Sequence, residues 1–227
     1  MLWQQFPRHQ PGAIPGERER SKPDLAFDGA RATGEDSSAL AVIQGPVVPL
    51  IETWEGYDLM ASANRINARA LELGMRTLGD APPFSDPLAW GQVDGKVVVD
   101  TTGAALGLGI VDRLRERHWD VEQFDFAGKA PSEEGARFAN LRAWSYMRVK
   151  RLVRDRAVAL LNDPLLREEA LATRYAISGQ GAVQIGPKKQ LRSRLGRFPD
   201  RLDAVVMGLA VGAEAATIGG STEYIGF

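Results

Sequence analysis

Lys96-Val97-Val98-Val99-Asp100-Thr101-Thr102-Gly103 is the stretch that decides the fold of this 227-residue chain. Three consecutive valines with no polar alternation predict a strand buried on both faces, as in the middle of a parallel sheet. The strand ends on an acid, Asp100, and runs into a glycine-rich turn from Gly103 to Gly109. A helix through His118 and a strand at Val121 to Phe126 come next. The unit therefore reads strand, helix, strand, with the two strands parallel and the crossover right-handed.

Upstream lie three β-type runs, Asp24 to Asp28, Ala39 to Gln44 and Val47 to Trp54, the last two separated by Gly45-Pro46. Such short runs with turn residues between them predict an antiparallel meander. From Asp58 to Arg76 apolar residues recur at Leu59, Ala63, Ile66, Ala70 and Leu73, the spacing of a helix, with Asp58 placed to cap it. Leu78 to Gly95 holds three prolines and three glycines and reads as a long loop or insertion. Downstream, a long helix is expected over Ala136 to Arg156, with Trp144, Tyr146 and Met147 packing in a core or interface. Another is expected over Pro164 to Thr173, then a hairpin over Tyr175 to Ile185 and a last helix from about Pro199. Residues 1–23, with four prolines, read as a tail or linker, 24–211 as one domain, and 212–227 as a C-terminal tail. The expected class is α/β, with three antiparallel strands followed by parallel strands and helices on the flanks. This is the order of a ribonuclease H-like mixed sheet.

Composition narrows the chemistry. The chain has no cysteine and only two histidines, His9 and His118, so zinc–thiolate sites, cysteine nucleophiles and HExxH metalloproteases are excluded. Carboxylates must carry any acid, base or metal work. No GxxxxGK[ST] phosphate loop is present, so ATP hydrolysis is not assigned to this chain. The longest apolar run, Ala204 to Ala213, is too short to span a bilayer, and no signal-peptide pattern opens the chain; a soluble, intracellular protein is expected. The formal net charge of -1 hides an asymmetry, because residues 142–201 hold 14 Lys and Arg against 5 Asp and Glu. A basic block of that size suits a polyanionic partner, although such charges on a helix also serve simply to solvate it.

The acids fall at telling places. Asp28 closes the first strand, Asp100 closes the fourth, and Asp203 lies in the first turns of the last helix. An Asp in such a position is commonly a turn former or a helix cap. Ligands of α/β sheets, however, gather at the carboxyl ends of strands where strand order switches, and three converging carboxylates repel one another unless cations neutralise them. Hard oxygen donors favour magnesium or manganese. Two such ions about 3.5–4 Å apart clamp the attacking and leaving oxygens of a phosphodiester. Asp200 competes with Asp203 as an acid at the helix start. Glu35 and Asp36 read as loop solvation, and Gly103, Gly107 and Gly109 as residues permitting tight packing beside the site, since their spacing matches neither a dinucleotide fingerprint nor a phosphate loop.

Val97-Val98-Val99-Asp100-Thr101-Thr102-Gly103, continuing through Ala104-Ala105-Leu106-Gly107-Leu108-Gly109 to Leu114, closely resembles the second-acid motif in the nuclease domain of the large terminase subunit of tailed bacteriophages. Phe27-Asp28-Gly29-Ala30-Arg31 through Gly34-Glu35-Asp36-Ser37 is similar to that family's first-acid strand and loop. Ala139-Asn140-Leu141-Arg142-Ala143 resembles its helix start, and Pro199-Asp200-Arg201-Leu202-Asp203-Ala204 its closing motif. The likeness is ordered and spans roughly residues 24 to 211. It implies a divalent-metal-dependent DNA endonuclease that cuts concatemeric viral double-stranded DNA during genome packaging by a two-metal-ion mechanism with Mg2+ or Mn2+. By motif, Asp28, Asp100 and Asp203 inherit the catalytic, metal-binding positions, with Asp200 as an auxiliary acid. Lys188 and Arg194 match basic positions that approach phosphates, and Lys189 and Arg192 join them as candidate DNA contacts. The implied partners are DNA, an ATPase motor domain or subunit, the portal and the small terminase subunit, in the cytoplasm of an infected or lysogenic bacterium. Two alternatives stand beside this reading: a Holliday-junction resolvase of the same fold, which would prefer branched over linear DNA, and a docking module of the packaging motor with weak or no cleavage, against which the intact acids argue. The chain departs from the family at Gly186, where relatives often carry an acid, and in the 78–95 insertion.

Overall fold

The computed structural model describes residues 22–29, 37–56, 58–78, 95–103 and 105–212. The tails, most of the expected insertion, and Glu35 and Asp36 lie outside these residues. Strands β1 (Pro23–Asp28), β2 (Ser37–Gln44) and β3 (Val47–Glu55) form the expected meander. Gly45 takes a positive φ of 54° in the turn between the last two. Helix α1 (Leu59–Glu72) crosses over, and Asp58 caps it by accepting from the Ala61 amide at 2.9 Å. The decisive unit follows as β4 (Val97–Asp100), α2 (Ala105–Arg115) and β5 (Val121–Phe124), with β4 and β5 parallel. Beyond it come α3 (Leu141–Arg154), β6 (Ala159–Leu160), α4 (Pro164–Ala172), the hairpin β7 (Tyr175–Ile177) and β8 (Val183–Ile185), α5 (Lys188–Leu195) and α6 (Asp200–Gly212).

The main sheet runs β5-β4-β1-β2-β3-β6. β1 pairs antiparallel with β2 and parallel with β4, so the strand order switches at β1 and β4. Side chains on these two strands alternate between two cores. Leu25, Phe27, Val97 and Val99 join the cluster under α1 and α2, whereas Ala26 and Val98 join the cluster under α3, α4 and α6. Asp28 and Asp100 continue the second phase. The same two-residue period that packs the strands thus aims both acids at the face that α6 covers.

Several boundaries differ from the sequence-based expectation, each for a local reason. The long helix starts at Leu141 rather than Ala136, because the Asn140 side chain accepts from the Ala143 amide at 3.0 Å and ends the extended segment before it; Gly135–Arg137 makes only a short 3-10 turn. α2 begins inside the stretch expected to be a turn. There Gly107 lets the helix lie against the preceding strand, since a Cβ on it would fall 2.2 Å from the Asp100 carbonyl oxygen. Gly109 does the same for α1, where a Cβ would meet Leu59 at 2.2 Å. α5 and the two-residue edge strand β6 have no counterpart in the sequence reading.

Candidate active site

Asp28 and Asp100 follow the paired residues Phe27 and Val99, so they stand side by side on adjacent parallel strands at their carboxyl ends. Asp203 approaches them from the first turn of α6. That helix seats close to the sheet because Gly208 faces Ala26 and Ile43, where a Cβ would fall within 3 Å of both side chains. One of the amides its first turn leaves unpaired is met from elsewhere: the Leu202 N–H donates to Glu169 Oε2 at 2.9 Å. Asp28, Asp100 and Asp203 are all buried, at 2%, 5% and 0% exposure.

Three basic or hydroxylated side chains stand among these acids. The Lys188 ammonium, from the first turn of α5, lies 2.6 Å from Asp203 Oδ2 and 3.7 Å from Asp28 Oδ2. Arg142, near the start of α3, brings Nη2 to 3.5 Å from Asp203 Oδ1. Tyr146, one turn later on α3, donates its hydroxyl to that same Oδ1. Asp100 is anchored within its own turn, Oδ1 accepting from the Thr102 amide at 2.8 Å, while the Thr102 hydroxyl accepts from the Phe126 amide at 2.8 Å and ties the turn to the end of β5.

The electrostatics divide the acids. Burial pushes the Asp28 carboxyl well above its ordinary value; Lys188 opposes this, and Asp100 and Asp203 add to it. Burial would raise Asp203 too, but Lys188 and Arg142 outweigh it and hold this carboxyl below the usual range. Lys188 in turn is raised despite its own burial, by Asp203 and Asp28. Burial raises Tyr146 well above its ordinary value, with Asp203 next in effect, so the phenol remains a donor.

Asp28 Oδ2 and Asp203 Oδ2 are buried oxygens that share the Lys188 ammonium, close to Asp203 and farther from Asp28. Among the described residues no three His, Cys, Asp or Glu side chains form a group that could hold a metal as they stand. The positive charge that such acids require is instead supplied by Lys188 and Arg142. The donor set still suits a hard divalent cation: two buried carboxylate oxygens turned toward one point now faced by an ammonium, with a third carboxylate on the neighbouring strand.

Two solved structures are similar to the chain over most of its length. The nuclease domain of the large terminase subunit gp2 of bacterial virus Sf6 matches with 18% identity and a TM-score of 0.63, covering 82% of this chain and 87% of that one. The large terminase nuclease domain of Thermus phage P74-26 matches with 15% identity and a TM-score of 0.55, covering 91% and 86%. The chain has the fold of the phage large terminase nuclease. A third structure of that fold, from thermophilic phage G20c, matches at a TM-score of 0.55 with 14% identity over 85% of this chain and 83% of that one. The G20c nuclease has also been solved with bound magnesium and with bound cobalt, and a mutant of the Sf6 domain with manganese. No protein-family model matches the sequence, and no curated protein does.

The terminase-like fold gathers some of the expected residues and separates others. Asp28, Asp100, Asp203 and Lys188 come together. Asp200, 8% exposed, is drawn to β2, where Oδ2 accepts from the Ser37 amide at 3.3 Å and from its hydroxyl at 3.0 Å. Lys188 points into the acids rather than outward. Lys189 and Arg194 are exposed on α5, Arg194 also donating to the Ala172 carbonyl at 3.2 Å, and Arg192 packs its guanidinium over Phe198 at 4.9 Å. The contacts of Tyr146 and Arg142 with Asp203 have no signal of their own in the sequence. Arg142 fell within a recognisable helix start, but Tyr146 carried only the signal of a core position.

Proposed function

We propose that the chain is a divalent-metal-dependent endodeoxyribonuclease that hydrolyses phosphodiester bonds of concatemeric viral double-stranded DNA during genome packaging. The observation that carries this reading is the pair of buried carboxylate oxygens, Asp28 Oδ2 and Asp203 Oδ2, turned toward one cation at the carboxyl ends of switched parallel strands. Asp28, Asp100 and Asp203 would hold two Mg2+ or Mn2+ ions, with Asp200 as an outlying acid. Ions so held supply an activated water and neutralise charge gathering on the scissile phosphate. Asp100 presents its carboxylate from a turn pinned to β5, and Asp203 from a helix end pinned by Glu169. Lys189, Arg192 and Arg194 offer α5 as the surface that contacts DNA phosphates, fixing position rather than sequence. The metal ions in the Sf6 and G20c structures favour the same chemistry here.

Packaging sets the further partners of this reading: an ATPase motor domain or subunit, the portal and the small terminase subunit, in the cytoplasm of the bacterial host. No helix among the described residues is long and apolar enough to cross a membrane. Supercoiled plasmid incubated with the protein and Mn2+ or Mg2+ should yield nicked and linear products, and none when a chelator is added. Plasmid left intact under every metal condition would overturn the reading, and preferential cutting of a four-way junction would redirect it to a junction resolvase.

A further inference from the structure

Asp203 sits on a helix, and rotation about the bond to its carboxyl carbon is soft, with broad and nearly two-fold preferences. Something must decide which oxygen it turns toward Asp28. Two groups do so, both from α3 and both on the far oxygen: the Tyr146 hydroxyl donates to Oδ1, and Arg142 Nη2 lies 3.5 Å from that Oδ1 and 3.5 Å from the Tyr146 oxygen. Arg142 and Tyr146 are four residues apart and therefore share one face of the helix. The start of that helix is fixed by the Asn140 cap. With Oδ1 taken up, Oδ2 is left toward Lys188 and Asp28. Asp100 has the corresponding anchor in its own turn.

We propose that Tyr146, braced by Arg142, is a positioning residue that pins one oxygen of Asp203 so that the other is presented to a divalent cation. This rests on the reading of Asp203 as a metal ligand. A tyrosine ring in an apolar core needs no hydroxyl to pack, and an unpaired one would be costly. Tyr146 is fully buried in the cluster under α6, and its hydroxyl is spent on a candidate metal ligand rather than on a backbone carbonyl. Groups standing behind a metal ligand in this way typically govern metal affinity or activity by about 10–100-fold.

The test is Tyr146→Phe in the full chain, which removes the hydroxyl and keeps the ring. Calorimetric titration with MnCl2 in the absence of DNA should show binding weakened by about ten-fold, at the lower end of that range. Plasmid cleavage should fall at limiting Mn2+ and recover as Mn2+ is raised, with the far-UV circular dichroism and the metal-free affinity for duplex DNA unchanged. Arg142→Lys, which keeps the charge, should bind Mn2+ better than Arg142→Ala. Equal Mn2+ affinity in wild type and Tyr146→Phe would overturn the proposal and leave the nuclease reading standing. Wild-type protein that binds Mn2+ but cuts no DNA, beside a weakened Tyr146→Phe, would overturn the nuclease reading and support the positioning role. Wild-type protein that binds no Mn2+ would overturn both.

Discussion

The two faces of the sheet are built by the same strands and do different work. The α1–α2 face is an apolar layer, with Leu25, Phe27, Leu40, Val97, Val99, Ile110, Leu114 and Trp119 packed against one another. The face under α3, α4 and α6 has an apolar layer of similar kind, yet it also holds every buried acid among the described residues: Asp28, Asp100, Glu169, Asp200 and Asp203. Alternation along β1 and β4 sorts the two contents, one residue up and the next down. Substitutions of apolar residues should therefore cost stability on either face, whereas substitutions of the acids confined to the second should cost chemistry with little loss of stability or even a gain.

The largest effect is expected from Asp100→Asn. Plasmid cleavage in Mn2+ should fall about 1,000-fold, equivalent to roughly 4 kcal/mol of barrier, while the metal-free melting temperature holds or rises because a charge beside Asp28 has gone. Wild-type rates in this variant would remove Asp100 from the chemistry. Ile110→Ala probes the opposite face, where a fully buried aliphatic chain is truncated. Chemical denaturation should register a loss of about 2–5 kcal/mol, with cleavage per folded molecule unaltered; a specific loss of turnover would dissolve the contrast between the faces.

A subtler difference is expected with pH. Burial pushes Glu169 up to about 8, with the Leu202 amide and Arg197 opposing it incompletely. Between its ordinary value near 4.5 and about 8, the folded chain retains a proton that the unfolded chain has released, so stability is fully present below that window and declines as pH rises through it. Glu169→Gln should gain on the wild type across that window by on the order of 2 kcal/mol. A stability difference that is flat from pH 5 to 9 would remove Glu169 as its source. The smallest effect is expected from Lys189→Ala combined with Arg194→Ala. Duplex binding should weaken evenly across sequences, and its log–log salt slope should shrink by about 1 for each phosphate that is no longer neutralised. A sequence-selective loss would show that α5 reads bases rather than backbone.

Much of this contrast was legible in the chain itself. Val97-Val98-Val99 ending on Asp100, and the meander before it, specify the sheet because a two-residue period leaves little choice of register. Asp58 and Pro199 mark helix starts by side-chain chemistry alone. α5 escaped notice because Lys188-Lys189-Gln190-Leu191-Arg192-Ser193-Arg194-Leu195 offers only two apolar residues, too few for a stripe, and its fold is settled by burying Leu191 and ion-pairing Lys188. Gly107 and Gly109 fall in a stretch that reads as a turn and instead sit within α2, while the tight packing read from them holds, against the Asp100 carbonyl and Leu59. Tyr146 was recognisable as a core aromatic. Nothing local could say that its hydroxyl would meet a side chain 57 residues away.

The three acids are drawn from the first strand, the fourth strand and the last helix described. Asp203 is the final one to be synthesised, and α6 can dock only after β1 and β2 have formed the surface that receives Gly208. While the chain is being made, Asp28 and Asp100 can assemble on the sheet, but the third carboxylate, Tyr146's grip on it and the lysine that spans the gap all arrive late. Under the proposed nuclease reading, competence to cut would therefore come only with the docking of α6, the last of these elements to be made.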